Sequence, residues 1–283
     1  MNPAQVCPLT KLDRLLLATD RSVFSEGAVR EAIGFAKRCS SWLSVMSVME
    51  SNPEYETIGA SVFKKEEKEA LEYLDGVKAR ALQEGVSCYT VLREGEKPDQ
   101  LIAAEAAEKK VDMIVIGRRG RSGLMKVLMG SVAAKVIGHA PCKVLVVPRA
   151  ARVEGRNILA ATDGSTHSLA AAAEAIGIAK RCGGAVLALS TVHVEGEREE
   201  AKANVNAVVE LGRKEGVPVE ALTPPGRSSE AIVEIAGGRG VDLIVMGAYG
   251  KTGLKKILMG SSTEKVIGHA NCAVLVVRAQ QAS

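Results

Sequence analysis

Two glycine strings of the same spacing stand out as residues that could do chemistry. Gly117-Arg-Arg-Gly120 is followed by nine residues and then Gly130-Ser131; Gly247-Ala-Tyr-Gly250 is followed by nine residues and then Gly260-Ser261. Glycine permits positive φ and lets a ligand approach the backbone closely. Each Gly-Ser pair opens a helical pattern, Ser131 to His139 in the first case. The free N–H groups and the positive end of the helix dipole therefore face the string. Such an end holds anions, and the Ser hydroxyl adds a hydrogen bond to phosphate. Arg118, Arg119 and Arg121 either steer that phosphate or are simply solvated. The second string replaces them with Ala248, Tyr249 and Lys251.

A second pair of residues belongs with the strings. Leu15-Leu-Leu-Ala18 and Ile158-Leu-Ala-Ala161 are short apolar runs that end at Thr19-Asp20 and Thr162-Asp163. Asp20 and Asp163 read either as ligand contacts or as N-caps of the helices that follow from Ser25 and Ser168. Other phosphate motifs do not fit. Gly250-Lys251-Thr252 resembles the end of a P-loop, but Val245 stands where the first Gly is required. No G-x-G-x-x-G follows the first strand, which disfavours a dinucleotide site. His139 and His269 lie at helix ends, where the dipole favours them. No Ser/His/Asp or Cys/His pairing recurs in both strings, and no convergent carboxylate pair is visible.

The elements that position these residues come in two copies. Asp13-Arg-Leu-Leu-Leu-Ala-Thr-Asp20 recurs as Arg156-Asn-Ile-Leu-Ala-Ala-Thr-Asp163, and Lys135-Val-Ile-Gly-His-Ala140 recurs as Lys265-Val-Ile-Gly-His-Ala270. Two domains are expected, residues 1–150 and 151–283. The second is shorter, mostly where the first carries Glu50 to Lys65. In the first copy strands are expected at Leu15–Ala18, Leu43–Met49, Val86–Leu92, Met113–Ile116 and Lys143–Val147. Helical periods fall at Ser25–Arg38, Val62–Gln83, Asp99–Lys109 and Ser131–His139. Val186 to Val194 is expected as the second strand of the second copy. Alternating strands and helices predict a doubly wound, five-stranded parallel sheet in each half. Ligands of such sheets sit beyond the carboxyl ends of strands at the switch point, which is where Asp20 and Gly117, and Asp163 and Gly247, fall. The last strands, Lys143–Val147 and Ala273–Val277, are edges, and pairing them antiparallel within the chain would hide both. The expected packing is an internal pseudo-dimer, open to further homodimerisation.

Composition removes whole classes of function. The 283 residues are 47% hydrophobic but only 3% aromatic, so the core is aliphatic, unlike an aromatic-rich sandwich or a base-stacking platform. The 37 basic and 33 acidic residues are interspersed, which argues against nucleic acid as the main partner. No apolar run is long enough to cross a bilayer and the N-terminus lacks a signal-peptide pattern, so a cytoplasmic protein without membrane contact is expected. The six Cys suggest neither a disulfide scaffold nor a metal site. Cys39 matches Cys182 and Cys142 matches Cys272, which reads as small buried apolar side chains rather than halves of bridges.

At the two strings and the paired aspartates, the sequence resembles the universal stress protein family in its tandem-domain form. Its ATP-binding members carry G-x2-G-x9-G-[S/T] after the fourth strand and an Asp at the end of the first. Both halves match, and the resemblance runs from about Lys11 to Val277. It implies a Rossmann-like fold of the adenine nucleotide alpha hydrolase type and a bound ATP, ADP or AMP, with any Mg²⁺ held mainly by the phosphates. By this resemblance Asp20 and Asp163, each after its Thr, meet ribose or a phosphate-bound metal. Val48 and Thr191 offer backbone to adenine. Gly117, Gly120, Gly247 and Gly250 pass ribose and phosphates, and Gly130, Ser131, Gly260 and Ser261 bind phosphate, with Val132 and Ser262 following. The resemblance points to regulation in stress adaptation rather than catalysis. The alternatives are a slow ATP hydrolase or an enzyme acting at the α-phosphate, and an interaction protein with a relic pocket. Arg21 stands where the second half has Gly164, and Glu50 to Lys65 could cover one site, so the two pockets are expected to be unequal.

Overall fold

The computed structural model describes residues 7, 9, 12–50, 60–120, 129–251 and 259–279. The first half runs β1 (Arg14–Ala18), α1 (Glu26–Cys39), β2 (Trp42–Met49), α2 (Ala60–Gln83), β3 (Cys88–Glu94), α3 (Pro98–Glu108), β4 (Met113–Gly117), α4 (Ser131–His139) and β5 (Lys143–Val147). The second repeats it as β6 (Asn157–Ala161), α5 (Thr166–Cys182), β7 (Ala185–Leu189), α6 (Arg198–Glu215), β8 (Val219–Leu222), α7 (Ser228–Gly238), β9 (Leu243–Gly247), α8 (Ser261–His269) and β10 (Ala273–Val277). A 3-10 turn, Glu195–Glu197, precedes α6.

All ten strands join one sheet in the order β3-β2-β1-β4-β5-β10-β9-β6-β7-β8. Neighbours are parallel within each half. At the centre β5 and β10 run antiparallel, with Leu145 opposite Leu275. The inner strands are buried on both faces, which is why they read as unbroken aliphatic runs. One apolar layer holds α1, α2, α5 and α6 against the sheet. The opposite layer holds α3, α4, α7 and α8, and both are continuous across the two halves.

Three expectations need correction. First, β7 ends at Leu189 rather than Val194. Beyond it the ladder reaches Pro224 and Pro225, which lack an N–H, and only a single bridge, Val192 to Pro225, survives. Second, β3 begins two residues later than Val86. Val86 instead closes the end of α2, its N–H donating to Ala81 O at 2.9 Å with the side chain buried.

Third, Cys39 is half of a bridge after all, bonded to Cys7. Repeat logic misread it because the partner lies outside the repeat; at the matching offset the second half has Ala150. The bridge fastens the N-terminal segment, whose Leu9 and Leu12 are buried in the core. It closes a sequence separation of 32. Chain-entropy arithmetic therefore gives a loss of about 3 to 4 kcal/mol on Cys7→Ser, read as a lower denaturant midpoint that reducing agent reproduces in the parent chain. Cys182 is free and buried. Burial pushes the Cys142 thiol up to about 12 and the Cys272 thiol up to about 11. At pH 8 both should react with Ellman's reagent only on unfolding.

Candidate functional site

The carboxyl ends of β1 and β4, and of β6 and β9, carry the same construction. The sheet order reverses between these strands, leaving a crevice between the loops that follow them. After β1, Thr19 turns its hydroxyl inward, 2.9 Å from Ser25 Oγ and 3.2 Å from Tyr73 Oη, and accepts from Arg21 N at 3.1 Å. Thr162 repeats this with Ser168 Oγ at 3.2 Å and Gly164 N at 3.2 Å. Both threonines are buried braces behind the aspartates.

The aspartates are not helix caps. Asp20 Oδ1 accepts from Ser22 N and Ser22 Oγ at 3.1 and 2.8 Å, ahead of α1. Asp163 Oδ1 accepts from Ser165 N at 3.0 Å, and it is Ser165 that caps α5 by accepting from Ser168 N. Asp163 Oδ2 accepts from Lys251 N at 2.8 Å, which fastens the start of the glycine loop to β6. Burial pushes the Asp163 carboxyl up, but the hydrogen bonds from Ser165, Lys251 and Ser168 together hold it below the usual aspartate value. The contribution of these bonds to stability is thus present above the ordinary aspartate range and is lost as pH falls through the lowered value. Neutral-to-mildly-acidic titration should leave the loop docked, and hydrogen exchange at Lys251 should accelerate only in strong acid.

The glycines are needed sterically. A Cβ at Gly250 would lie 2.6 Å from Asp163 Oδ2, and one at Gly120 would lie 3.2 Å from Asp20 Oδ2. At Gly247 it would meet the His167–Ser168 backbone at 3.0 Å, and at Gly117 the Phe24–Ser25 backbone at 3.2 Å. Gly130 N donates to Arg118 O and Gly260 N to Ala248 O, both at 2.9 Å, so each loop closes before its helix begins. Gly130 and Gly260 are the N-cap residues of α4 and α8 and have no side chain to cap them. The first-turn N–H groups are therefore open to an anion, and Ser131, Ser261 and Ser262 are exposed there, with Val132 half-buried behind Ser131. This cradle fits a phosphorylated ligand. Among the described residues no group of three or more His, Cys, Asp and Glu could hold a metal ion.

Not every candidate residue is brought to the crevice. The Arg118 side chain leaves the glycine loop and donates to Ala270 O at 2.6 Å, at the end of α8 in the other half. Burial and the neighbouring Arg119 lower its pKa, though it stays a cation. Steering by that guanidinium is thus replaced by helix capping; only its backbone serves the loop. Arg119 is half-buried, and Arg121 and residues 51–59 of the Glu50–Lys65 segment lie outside the described residues. Val48 sits near the end of β2, opposite Arg93 of β3. Thr191 lies two residues past β7, its hydroxyl 2.6 Å from Ser228 Oγ. His139 Nδ1 lies 2.9 Å from Asp99 Oδ2, joining α4 to α3, and His269 Nδ1 lies 2.7 Å from Lys265 O.

The two crevices differ around the first residue after the aspartate. Arg21 has φ 67 and Gly164 has φ 78, the same left-handed turn. Arg21 reaches α2 and pairs with Glu66 at 2.9 Å. In the second half Asn204 of α6 fills that space, where a Cβ on Gly164 would fall 2.3 Å from its Oδ1. Arg278 and His167 escaped the sequence reading, and Tyr249 entered it only as a replacement for an arginine. Arg278 donates to Ile137 O and Tyr249 Oη, and the Tyr249 ring lies against His167. The available signal was a mismatch between otherwise matched copies: Arg118 opposite Ala248, and Arg278 opposite Pro148.

Fold and loop together define a tandem α/β protein that carries the same aspartate, glycine loop and helix start once in each half. The model of the universal stress protein family matches residues 11–148 and again 155–278, so the chain belongs to the universal stress protein family. A universal stress protein of Methanocaldococcus jannaschii is 39% identical over 139 residues, covering 44% of this chain and 82% of the relative. One from Synechocystis is 33% identical over 149 residues, covering 47% of this chain and 96% of the relative. A crystal structure of a universal stress protein from Archaeoglobus fulgidus superposes with a TM-score of 0.74 at 21% identity, covering 95% of this chain and 97% of that one. Each of these two relatives thus matches about half of this chain, whereas that structure matches nearly all of it.

Proposed function

We propose that residues 1–150 and 151–283 are two domains that each bind an adenine nucleotide (ATP, ADP or AMP) and that occupancy serves a regulatory role. The observation that carries this is the twofold recurrence, in one chain, of an aspartate after the first strand packed on a glycine loop that opens into an uncapped helix. Such a cradle takes phosphate through backbone N–H groups, and the aspartate is left to meet the ribose side. Mg²⁺, when present, rides on the phosphates. Slow hydrolysis is the weaker reading, because a carboxylate with a lowered pKa, as at Asp163, is a poor general base.

Nucleotide released from the purified protein by denaturation and separated by chromatography tests this directly. Close to two adenine nucleotides per chain are expected after loading with ATP and Mg²⁺. A chain that neither retains nucleotide nor gains thermal stability with millimolar ATP rules the proposal out. Turnover well above one per site, lost in Asp20→Ala with Asp163→Ala, would establish the hydrolase instead.

A further inference from the structure

The two cradles are connected through the far ends of their own helices. α4 begins at the first cradle and ends at His139; α8 begins at the second and ends at His269. The last four carbonyls of a helix have no intrahelical partner and carry the negative end of the dipole. At α8, Arg118 donates to Ala270 O at 2.6 Å and to Gly268 O at 3.4 Å. Arg118 itself belongs to the first glycine loop. At α4, Arg278 donates to Ile137 O at 2.7 Å and Gly138 O at 2.5 Å. The same guanidinium donates to Tyr249 Oη at 3.2 Å and lies 5.5 Å from the centre of that ring. Tyr249 belongs to the second glycine loop. Each loop is therefore tied to the helix whose start forms the other half's cradle.

These ties are not copies of one another. Arg118 corresponds to Ala248 in the repeat, and Arg278 corresponds to Pro148. One half caps its neighbour's helix from the loop itself, the other from the residue after its last strand. Duplication alone would have produced the same residue twice; here two different positions arrive at the same helix end and share one equivalent carbonyl, Gly268 O and Gly138 O. The loops are also anchored beside the central strand pair, with Arg118 N donating to Val147 O at 3.2 Å and Ala248 N to Val277 O at 2.9 Å.

We propose that Arg118 and Arg278 couple the two cradles, so that filling one raises the affinity of the other. A ligand seated on the Gly117–Gly120 backbone holds Arg118 on the end of α8 and so holds α8 for the second phosphate. A ligand on the second loop fixes Tyr249, Arg278 and α4 in the same way. The second binding event then orders less than the first, which gives positive cooperativity. The Arg118 and Arg278 guanidinium groups are positioning groups, each engaged by carbonyls at a helix end. The inference rests on the nucleotide reading above.

The test is calorimetric titration with ATP and Mg²⁺ on the full chain. Ser131→Glu and Ser261→Glu each place a carboxylate in one cradle, leaving single-site constants for the other. In the parent chain the overall two-site constant should exceed the product of those two constants by about 5-fold or more. With Arg118→Gln, Arg278→Gln or the milder Tyr249→Phe, excess over the product should vanish when the single-site constants are measured in the same background. A purely structural role would lower the melting temperature and weaken single-site binding while leaving the excess intact, and that result overturns the proposal. So does a parent chain in which the overall constant equals the product or falls below it. Absence of any ATP binding in the parent chain removes the nucleotide reading itself, and the coupling with it.

Discussion

Gly184→Ala should destabilise the protein by about 3 kcal/mol, although it adds one methyl group at the start of a buried strand. A Cβ there would lie 2.5 Å from Gly155 O, 2.6 Å from Arg156 O and 2.7 Å from Arg156 Cα. All three are backbone atoms, so no side-chain rotation relieves the overlap. The backbone they belong to is itself held: the Asp242 carboxylate accepts from Gly155 N, Arg156 N and Asn157 N at 2.8 to 3.0 Å. That clamp joins the segment between the halves to the base of β6 and β9. Gly183 is the internal control. It has φ 66 with open space around it, so Gly183→Ala carries left-handed strain alone, about 1 kcal/mol. The matching residue in the first half is Ser41, whose side chain is accommodated and bonds Leu12 O. Copying that residue into the second half as Gly184→Ser should therefore fail as badly as alanine does. Urea unfolding of the three variants checks the ranking; equal midpoints for Gly183→Ala and Gly184→Ala would show that the backbone yields.

The contrast between Ser41 and Gly184 marks where sequence reading stops. Aliphatic runs and their repetition were enough to locate the inner strands β1, β4, β5, β6, β9 and β10, since buried parallel strands tolerate little else. The glycine strings were legible because phosphate cradles require close backbone approach, and both strings open helices in the structure as their spacing predicts. Side-chain destinations were a different matter. Arg118 lies inside the loop that its position suggests it serves, yet it reaches across to α8, because the halves meet at β5 and β10 and bring that helix end within its length. Nothing in one half's sequence encodes a partner in the other. The same holds for Cys39, whose partner Cys7 precedes the repeat. Strand β7 was overrun because Val192 and Val194 look like strand residues; the interruption comes from Pro224 and Pro225 on the neighbouring segment. Contacts between segments distant in sequence decided each of these cases, and periodicity reports only contacts within a segment.

Gly250→Val should empty the second cradle while leaving the first filled, and its effect on binding should be the larger of any single loop substitution. The first atom of the new side chain would lie 2.6 Å from Asp163 Oδ2. That oxygen accepts from Lys251 N, so the overlap cannot be relieved without breaking the bond that docks the loop. Loss of one hydrogen bond to a charged group, with displacement of the backbone that would meet the ligand, corresponds to about 3 kcal/mol, or roughly a 100-fold weaker site. Gly120 is looser, with 3.2 Å to Asp20 Oδ2, so Gly120→Ala should weaken the first cradle less than Gly250→Ala weakens the second. Equilibrium dialysis with labelled ATP reads this as a fall from two bound nucleotides per chain to one in Gly250→Val. Asp163→Asn removes the charge together with one of the two acceptor oxygens, so it keeps Lys251 N paired only by giving up Ser165 N. If Gly250→Val still binds two nucleotides, the loop after β9 is not part of a ligand site. If Asp163→Asn alone matches its loss, the Asp163 carboxylate with its two acceptors, rather than the room at Gly250, governs the cradle.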